Sequence, residues 1–406
     1  MTHALAARTL LLASLTFATG QALAQPEYEI FAISLPGQAN SNGQGISPSG
    51  NFATGTSNNT AVLTTVGGGT IGLPALASRP FSLAQAVNDS GVVVGTGATT
   101  FFGSSPLPLM WTNTSTVVEL PLPAGETLGR ANGVNNAGLA VGSVDGGSLE
   151  QAATFSLAGS QVIAATMPNG GVLRTAFAVN GAGRIVGQAL DPTNAAVLKG
   201  FFIDPGDRAA TDIGALTALG HNSAIAFAVS SDGRIAGSSS FNAGVNIRPF
   251  VWTESGGMAE IPLLPGTTTG SARGVNAQGW AVGNMSSATS IIFVYDGAQT
   301  YFAQDLIPAG SRWDLTTGTS NGAFGIADNG VITGRGLLNG QITGFVMIPV
   351  QDCPADTNGD GMLSPADFSA WIAAFNAMAP ECDQNGDTAC TPADFSAWIA
   401  NFNNGC

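Results

Sequence analysis

The chain has 406 residues, of which only 9% are charged and 55 are glycine, and its formal net charge is −14. This composition is too apolar for an intrinsically disordered protein, and the length is sufficient for a large core. A single lysine, Lys199, and the absence of a basic patch argue against a nucleic-acid partner. Abundant glycine with little charge indicates many short strands and tight turns.

Residues 1–24 have the pattern of a bacterial signal peptide. Arg8 supplies the positive charge, an apolar run extends from Leu10 to Ala18, and residues 22–24 form a small-x-small cleavage site before Gln25. The apolar run is too short to span a bilayer, and no other segment is long and apolar enough. The sequence therefore predicts a secreted protein, extracellular or associated with the cell surface, and not a transmembrane one.

Residues 25–350 contain one motif seven times: a small residue, an aliphatic residue, Asn or Ser, two further residues, Gly, and a short apolar strand ending in Gly. The terminal glycines are Gly55, Gly95, Gly142, Gly187, Gly237, Gly283 and Gly334, at intervals of 40, 47, 45, 50, 46 and 51 residues. The Asn or Ser side chain can accept a hydrogen bond from the backbone two residues on, and the first Gly supplies a positive φ, so each motif predicts a hairpin. Four strands per unit of this length predict the blades of a β-propeller, with a β-solenoid or open array as the alternative.

The two ends of the repeat region favour a closed ring. The segment from Tyr28 to Ile33 is a strand without a unit of its own, and the seventh unit stops at Val350 without its fourth strand. Pairing the first segment with residues 345–350 would close the ring and remove an exposed sheet edge. The sequence therefore predicts a mainly β fold, a seven-bladed β-propeller over residues 25–350.

These repeats resemble the HAF extracellular repeat family, whose units read Ala-x-x-Ile-Asn-x-x-Gly-x-Val-Val-Gly followed by Ala-Phe-x-Trp. The chain departs from that pattern at Ser47, Ser230 and Ala327, which replace Asn, and it lacks the His that often opens the family's aromatic strand. The resemblance implies a secreted, propeller-like domain and carries no particular activity.

The repeat region has no obvious catalytic constellation. His221 is the only histidine after residue 24, and a lone loop histidine is interpreted as a solvated surface group. Residues 318–322 match the Gly-x-Ser-x-Gly pattern, but that motif needs a strand before it and a helix after it. The loop carboxylates are interpreted as solvated, and Trp111 and Trp252 as core between blades. The sequence therefore predicts no catalytic residue.

The C-terminal residues 351–406 contain two similar twelve-residue loops that start 27 residues apart. Oxygen atoms at positions 1, 3, 5, 7, 9 and 12 of such a loop are suited to a calcium ion. The first loop supplies Asp356, Asn358, Asp360, the Met362 carbonyl, Ser364 and Asp367. The second supplies Asp383, Asn385, Asp387, the Ala389 carbonyl, Thr391 and Asp394. Position 6 of the second loop is Thr388 instead of Gly, so the second of the two calcium sites is expected to be weaker.

A helix follows each loop, and the two helices have nearly identical sequences. Two apolar faces have i, i+3, i+4, i+7 spacing and predict packing about a pseudo-twofold axis. These faces are Phe368, Trp371, Ile372 and Phe375, and Phe395, Trp398, Ile399 and Phe402. Residues 364–366 and 391–393 would then form two near-identical surfaces.

All four cysteines lie in this C-terminal segment. An even number in an exported chain indicates disulfides, and three pairings are possible. Pairing Cys353 with Cys406 would join the ends of the segment, and pairing Cys382 with Cys390 would close the second loop. We favour that pattern.

With Asp at position 12, no helix before each loop and a final Gly-Cys, residues 351–406 resemble the GC-type dockerin-like domains related to type I dockerins. That resemblance implies calcium binding and docking to a cohesin-like or surface-anchoring protein. The combined hypothesis is an exported, non-enzymatic propeller that binds a glycan or protein ligand and is anchored through its dockerin-like domain. The alternative is a secreted carbohydrate-active hydrolase that its dockerin recruits to a complex.

Overall fold

The computed structural model describes residues 25–38, 40–100, 103–145, 150–350, 353–359 and 363–405. The predicted signal peptide, residues 1–24, lies outside the described residues. No helix among the described residues is both long and apolar enough to cross a membrane.

Seven antiparallel sheets follow one another along the chain and form the blades of a propeller. The propeller begins with β1 (Tyr28–Ile33). The first blade contains β2 (Ser41–Ile46), β3 (Phe52–Ser57), β4 (Thr60–Thr65) and β5 (Thr70–Gly72), and the second contains β6 (Phe81–Val87), β7 (Val93–Ala98), β8 (Leu107–Asn113) and β9 (Thr116–Glu119). The third contains β10 (Gly129–Val134), β11 (Ala140–Val144), β12 (Gln151–Ser156) and β13 (Gly159–Val162). The predicted four strands per unit are confirmed in these blades.

Among the remaining four blades, the first three have the same up-and-down order. In the seventh, the strand Gly322–Ile326 and the short strand Trp313–Asp314 both pair with the strand Ile332–Leu338, and Gly322–Ile326 takes the place of the first strand of the other blades. The strands of these four blades are β14 (Leu173–Val179), β15 (Ile185–Leu190), β16 (Leu198–Ile203) and β17 (Thr211–Asp212); β18 (Ser223–Val229), β19 (Ile235–Phe241), β20 (Val245–Thr253) and β21 (Gly257–Glu260); β22 (Thr269–Val275), β23 (Ala281–Ser286), β24 (Ser290–Tyr295) and β25 (Thr300–Phe302); and β26 (Trp313–Asp314), β27 (Gly322–Ile326), β28 (Ile332–Leu338) and β29 (Gln341–Pro349). Short 3₁₀ turns occupy Thr217–Leu219 and Ala303–Leu306.

The N-terminal strand closes the ring. Strand β1 pairs antiparallel with β29, from Tyr28 opposite Pro349 to Ile33 opposite Gly344, so the seventh blade is built from both ends of the repeat region. This pairing confirms the predicted closure, and the solenoid alternative is wrong. The physical reason is the one that the sequence suggested, because closure leaves no unpaired edge at the junction.

In six of the seven repeats an Asn or Ser side chain holds the hairpin turn of the motif, and the seventh has Ala327 at that position. Asn88 Oδ1 accepts hydrogen bonds from the backbone N–H groups of Ser90 and Val92, both at 3.0 Å. Ser230 Oγ accepts from the backbone N–H of Arg234 at 2.9 Å. The turn chemistry predicted from the motif is therefore confirmed.

The terminal glycine of each motif lies opposite an irregularity in the first strand of its blade. In the third blade the register skips Asn132, so that the carbonyl oxygen of Arg130 lies where a Cβ on Gly142 would be. Equivalent carbonyl oxygens face the other six terminal glycines. Only glycine fits beneath such a bulge, which explains the period that the sequence displays.

The packing between blades is apolar. Trp111 is completely buried among residues of the preceding blade, and its indole Nε1 donates to the Pro74 carbonyl oxygen at 2.7 Å. Trp252 packs against Phe202, with ring centroids 5.3 Å apart. Both tryptophans therefore belong to the core between blades, as predicted.

The C-terminal segment contains two helices, α1 (Pro365–Ala377) and α2 (Pro392–Asn404), and a 3₁₀ turn at Pro380–Cys382. They form a small aromatic core around Trp371 and Trp398. The expectation that Ile372 and Ile399 belong to this interface is wrong, since they are 41% and 42% exposed. The aromatic rings packed around the two tryptophans fill this core, so the isoleucines lie at its edge, as does Phe395, which is 40% exposed.

Candidate functional site

Three carboxylates converge in the second acidic loop. Oxygen atoms of Asp383, Asp387 and Asp394 all lie within 4.8 Å of one another, close enough to hold a metal ion. Asn385 is joined to this cluster, because its Nδ2 donates to Asp387 Oδ2 at 3.1 Å. All the groups of this cluster that could bind a metal are oxygen donors, a set that suits a hard divalent cation.

The loop backbone curls around Asp383. Its Oδ1 accepts from the N–H of Gly386 at 2.9 Å, and its Oδ2 accepts from the N–H of Thr388 at 2.7 Å. Thr388 has φ of 68°, in the left-handed region that favours glycine. A β-branched residue therefore adopts a turn that favours glycine, and the weaker calcium binding expected of this loop stays a prediction.

The disulfide between Cys382 and Cys390 supports this turn. The two cysteines are bonded, with their Cα atoms 5.6 Å apart, which confirms the predicted pairing. The bond joins the residue before the loop to its eighth position, and it therefore limits how far the loop can open. The other proposed pair, Cys353 with Cys406, falls on Cys406, which lies outside the described residues.

The last acidic residue of each loop serves a second purpose. Asp367 and Asp394 are fully buried, and each closes a capping box at the start of the following helix, with Ser364 and Thr391 as the N-cap residues. Thr391 Oγ1 also accepts from the Ala393 N–H at 3.3 Å. The sequence assigned Ser364 and Thr391 only as calcium ligands, and their capping role was missed although the Ser/Thr-x-x-Asp spacing is visible.

Both buried carboxylates are held in the ionised form. The backbone N–H of Thr391, with those of Gln384 and Asn385, keeps the pKa of Asp394 below its usual value despite burial. Burial alone would raise the pKa of Asp367, but hydrogen bonds from Ser364 and Asn358 outweigh it and lower the pKa. An ionised carboxylate at loop position 12 is what cation binding needs.

The first loop is described in part. Asp356, Asn358, Ser364 and Asp367 are described, whereas Asp360 and Met362 lie outside the described residues. Asn358 N donates to Asp367 Oδ1 at 3.3 Å, and Asn385 N donates to Asp394 Oδ1 at the same distance in the second loop. The two loops therefore fold alike where both can be compared.

Position 2 of each loop links the two halves of the segment. Trp398 Nε1 donates to Thr357 Oγ1 at 3.2 Å, and Gln384 Nε2 donates to the Pro354 carbonyl oxygen at 2.6 Å. Each loop is thus tied to the opposite half of the fold. Nothing in the spacing of the motif identifies these residues, because their partners are distant in sequence.

A second candidate site is a cavity of about 690 Å³ where the first strands of all seven blades meet. Small and aliphatic residues such as Ala86, Val134 and Val179 form part of its wall, and the residues that follow most of these strands form its rim. One partly buried side chain per blade lines it from the bulge position of the first strand. These seven bulge residues are Gln44, Gln85, Asn132, Phe177, Phe227, Arg273 and Phe324.

Two carboxylates lie at the rim of the cavity, Asp89 and Asp328. Asp89 accepts from Ser49 N at 2.8 Å and from Asn136 Nδ2 at 2.7 Å, which joins three successive blades. Asp328 accepts from Ala277 N at 2.9 Å and from Ser231 Oγ at 2.8 Å. All four carboxylate oxygens therefore accept hydrogen bonds from other blades, and the two residues stabilise the contacts between blades.

His221 differs from the sequence-based interpretation, because it is buried, with only 3% of its surface exposed. Its Nδ1 lies 3.1 Å from Ser239 Oγ, whose hydroxyl donates to the Ser223 carbonyl oxygen, and its Nε2 lies 3.3 Å from Asn246 Nδ2. This network assigns the proton to Nδ1. The solvated interpretation was wrong because strands β19 and β20 cover the loop that carries His221.

No family model matches the chain, and no curated protein matches it. Among solved structures, a streptogramin B lyase is similar over 79% of this chain and 98% of its own, at 11% identity and a TM-score of 0.48. Virginiamycin B lyase from Staphylococcus aureus is similar over 79% of this chain and 100% of its own, at 12% identity and a TM-score of 0.42. A putative TolB from Agrobacterium tumefaciens is similar over 80% of this chain and 99% of its own, at 10% identity and a TM-score of 0.38. No activity transfers at such values, and the HAF and dockerin-like resemblances stay predictions.

Proposed function

We propose that this protein is an exported, non-enzymatic propeller that a calcium-binding C-terminal domain docks onto a surface-anchoring protein. The propeller would occupy residues 25–350 and the calcium-binding, dockerin-like domain residues 351–406. The observation that carries the proposal is the convergence of Asp383, Asp387 and Asp394 within 4.8 Å.

Calcium is the cation that this oxygen cluster suits best. A flexible loop of carboxylates, amide and hydroxyl oxygens can supply the six to eight ligands that calcium takes, and magnesium demands a stricter octahedron. Eight acidic groups and no lysine or arginine lie in residues 351–406, so bound cations would offset a concentrated negative charge. Extracellular calcium modules bind at roughly 10⁻⁴–10⁻³ M, which fits a folding ligand of an exported protein.

The cation would act on the fold through Asp394. This residue belongs to the cluster and also caps α2, whose Trp398 packs against Phe368 with ring centroids 5.1 Å apart. Neutralising the cluster would therefore stabilise the start of the helix and, through it, the aromatic core. The matching hydrogen bonds around Asp367 support an equivalent first site that uses Asp356, Asn358, Asp360, the Met362 carbonyl and Ser364.

The docking surface is proposed to include the exposed pair Ile372 and Ile399. They occupy the same place in the two helices, eight residues after Ser364 and Thr391, and each presents an exposed apolar group about two helical turns from residues 364–366 or 391–393. The partner is a cohesin-like or other surface-anchoring protein with an apolar docking face. Because the two halves are equivalent, binding in either of two orientations is expected.

The propeller is assigned a binding role because its central carboxylates are already used. Every oxygen of Asp89 and Asp328 accepts a hydrogen bond from another blade, so both rim carboxylates already have a structural role. This observation favours a glycan or protein ligand over the hydrolase alternative.

The docking proposal is tested with the full mature chain and envelopes of the bacterium that produces it. We expect the protein to sediment with the envelopes in millimolar calcium and to be released by a chelator. The double variant Ile372→Asp plus Ile399→Asp should fail to sediment, and Phe241→Asp, an exposed apolar position of the propeller, should sediment like the wild type. Equal sedimentation with chelator, or of the double variant, would contradict the proposal.

A further inference from the structure

The central cavity is chemically asymmetric around its ring. The bulge residues of the first three blades are amides, Gln44, Gln85 and Asn132, whereas those of the last four are three phenylalanines and one arginine. A bulge leaves one residue out of the ladder and re-aims its side chain, so these positions can vary without loss of the fold. The cavity thus has an amide half and an aromatic, cationic half.

Arg273 is the cation of the aromatic half, and no described residue is its anionic partner. It makes no hydrogen bond or ion pair with any residue that the structure describes, and its Nε is buried without a partner. Its Cζ lies 3.8 Å from the centroid of the Phe227 ring, which positions the guanidinium over an aromatic face. Burial lowers the pKa of Arg273 from its usual value. The guanidinium therefore has donors available to an anion that enters the cavity.

Flat apolar surface adjoins this guanidinium. Phe177 and Phe227 lie with ring centroids 5.4 Å apart and planes inclined at 56°, and Phe324 enters the cavity from the blade after Arg273. On the other side, Asn132 Nδ2 is used, since it donates to the Ala176 carbonyl oxygen at 3.0 Å. The cavity can therefore contact the face of a ring on one side and offer amide groups on the other.

We propose that this cavity binds a small organic carboxylate carried on a ring. The carboxylate would pair with the Arg273 guanidinium, the ring face would lie against Phe177 or Phe324, and polar substituents would face Gln44 and Gln85. A volume of about 690 Å³ is in the range of small-molecule sites. The engaged carboxylates Asp89 and Asp328 at the rim disfavour ligands with a second negative charge near the opening. This site uses no residue of the C-terminal segment, so it is independent of the docking function.

Two classes of compound carry a carboxylate on a ring, aromatic acids and acidic sugars. Calorimetric titration of the full mature chain in the presence of calcium distinguishes them. Benzoate and glucuronate are each titrated beside an uncharged ring of the same kind, benzyl alcohol and glucose. We expect at least one acid to bind with a Kd below about 1 mM and at least tenfold more tightly than its uncharged counterpart. If neither acid binds to the wild-type protein at 10 mM, or if the uncharged compound binds equally well, the proposal is overturned.

Variants then assign the interaction to Arg273. Arg273→Gln should weaken binding of the acid at least tenfold, whereas Arg208→Gln, the same change at an exposed loop position, should leave it unchanged. Phe177→Leu should weaken binding while retaining the preference for the charged compound. Unchanged affinity in a folded Arg273→Gln protein, checked by circular dichroism, would overturn the assignment. If that variant does not fold, Arg273→Lys is used, and an affinity equal to the wild type would count against bidentate recognition by the guanidinium.

Discussion

Asn135 Nδ2 donates a hydrogen bond to the backbone carbonyl oxygen of Asn180, at 3.1 Å across the boundary between the third and fourth blades. The same asparagine holds its own hairpin turn through Oδ1, which accepts from Ala137 N. Equivalent bonds between blades start from Asn88, Asn180 and Asn276. The amide of each asparagine thus closes a turn with one end and links two blades with the other, while Ser230 supplies only an oxygen and retains only the turn.

Asn135→Ser separates these two uses. The serine can still accept the turn hydrogen bond, but the Asn180 carbonyl oxygen loses its buried donor, so we expect the free energy of unfolding to fall by about 1–3 kcal/mol. Asn194→Ser, at an exposed asparagine whose side chain accepts from Ala196 N two residues on, should change it by less than about 0.5 kcal/mol. Urea unfolding in calcium measures both, and equal stability of the two variants would refute the role of the interblade bond.

Gly142→Ala tests the origin of the repeat period. A Cβ at this position overlaps the Arg130 carbonyl oxygen beneath the bulge, so we expect a loss of stability of about 1–3 kcal/mol or failure to fold. Gly159→Ala is the matched control, since nothing lies within 4 Å of its added Cβ. Thermal unfolding compares the two, and a Gly142→Ala protein as stable as the control would show that the bulge accommodates a side chain.

Two residues of β1 test the ring closure. Ile33 is fully buried and Phe31 is 49% exposed, although both belong to the strand that completes the seventh blade. Ile33→Ala should cost about 2–4 kcal/mol by creating a cavity, and Phe31→Ala should cost far less. Chemical unfolding measures the difference. Similar losses for both substitutions would mean that β1 is not packed as a blade strand.

His221 predicts a pH dependence. Desolvation by burial, reinforced by the charge of Arg248, lowers the pKa of His221 below its usual value. An unfolded histidine titrates near pH ~6.5, so below that pH the unfolded state binds a proton that the folded state does not accept. Stability should therefore be complete above pH ~6.5 and decline as the pH falls toward the lower folded pKa.

The variant His221→Gln isolates this effect because His221 is the only histidine after residue 24. Its free energy of unfolding should change less between pH 7 and pH 5 than that of the wild type, while the carboxylates contribute equally to both. Parallel pH profiles for the two proteins would show that His221 is accessible to protons in the folded state.

The sequence predicts the number of blades and the closure because the repeat and the orphan strand are local patterns with one physical solution. It does not predict that Asn135 joins two blades or that Arg273 enters the cavity, since both depend on which neighbour the ring brings close. His221 was assigned to solvent because its covering strands are distant in sequence. Ile372 was assigned to the core because helical spacing does not tell how wide the facing aromatic rings are.

The most direct test of the central claim is calorimetric titration of the full mature chain with calcium. We predict two sites at millimolar affinity or better, and a single site in Asp383→Asn plus Asp387→Asn. The matched control Glu381→Gln, an exposed acidic residue just before the second loop, should retain both. Saturating calcium at about 100 times Kd should also raise the stability of the C-terminal segment by about 2.7 kcal/mol per site. No calcium binding up to 10 mM, or unchanged stoichiometry in the double variant, would contradict the account.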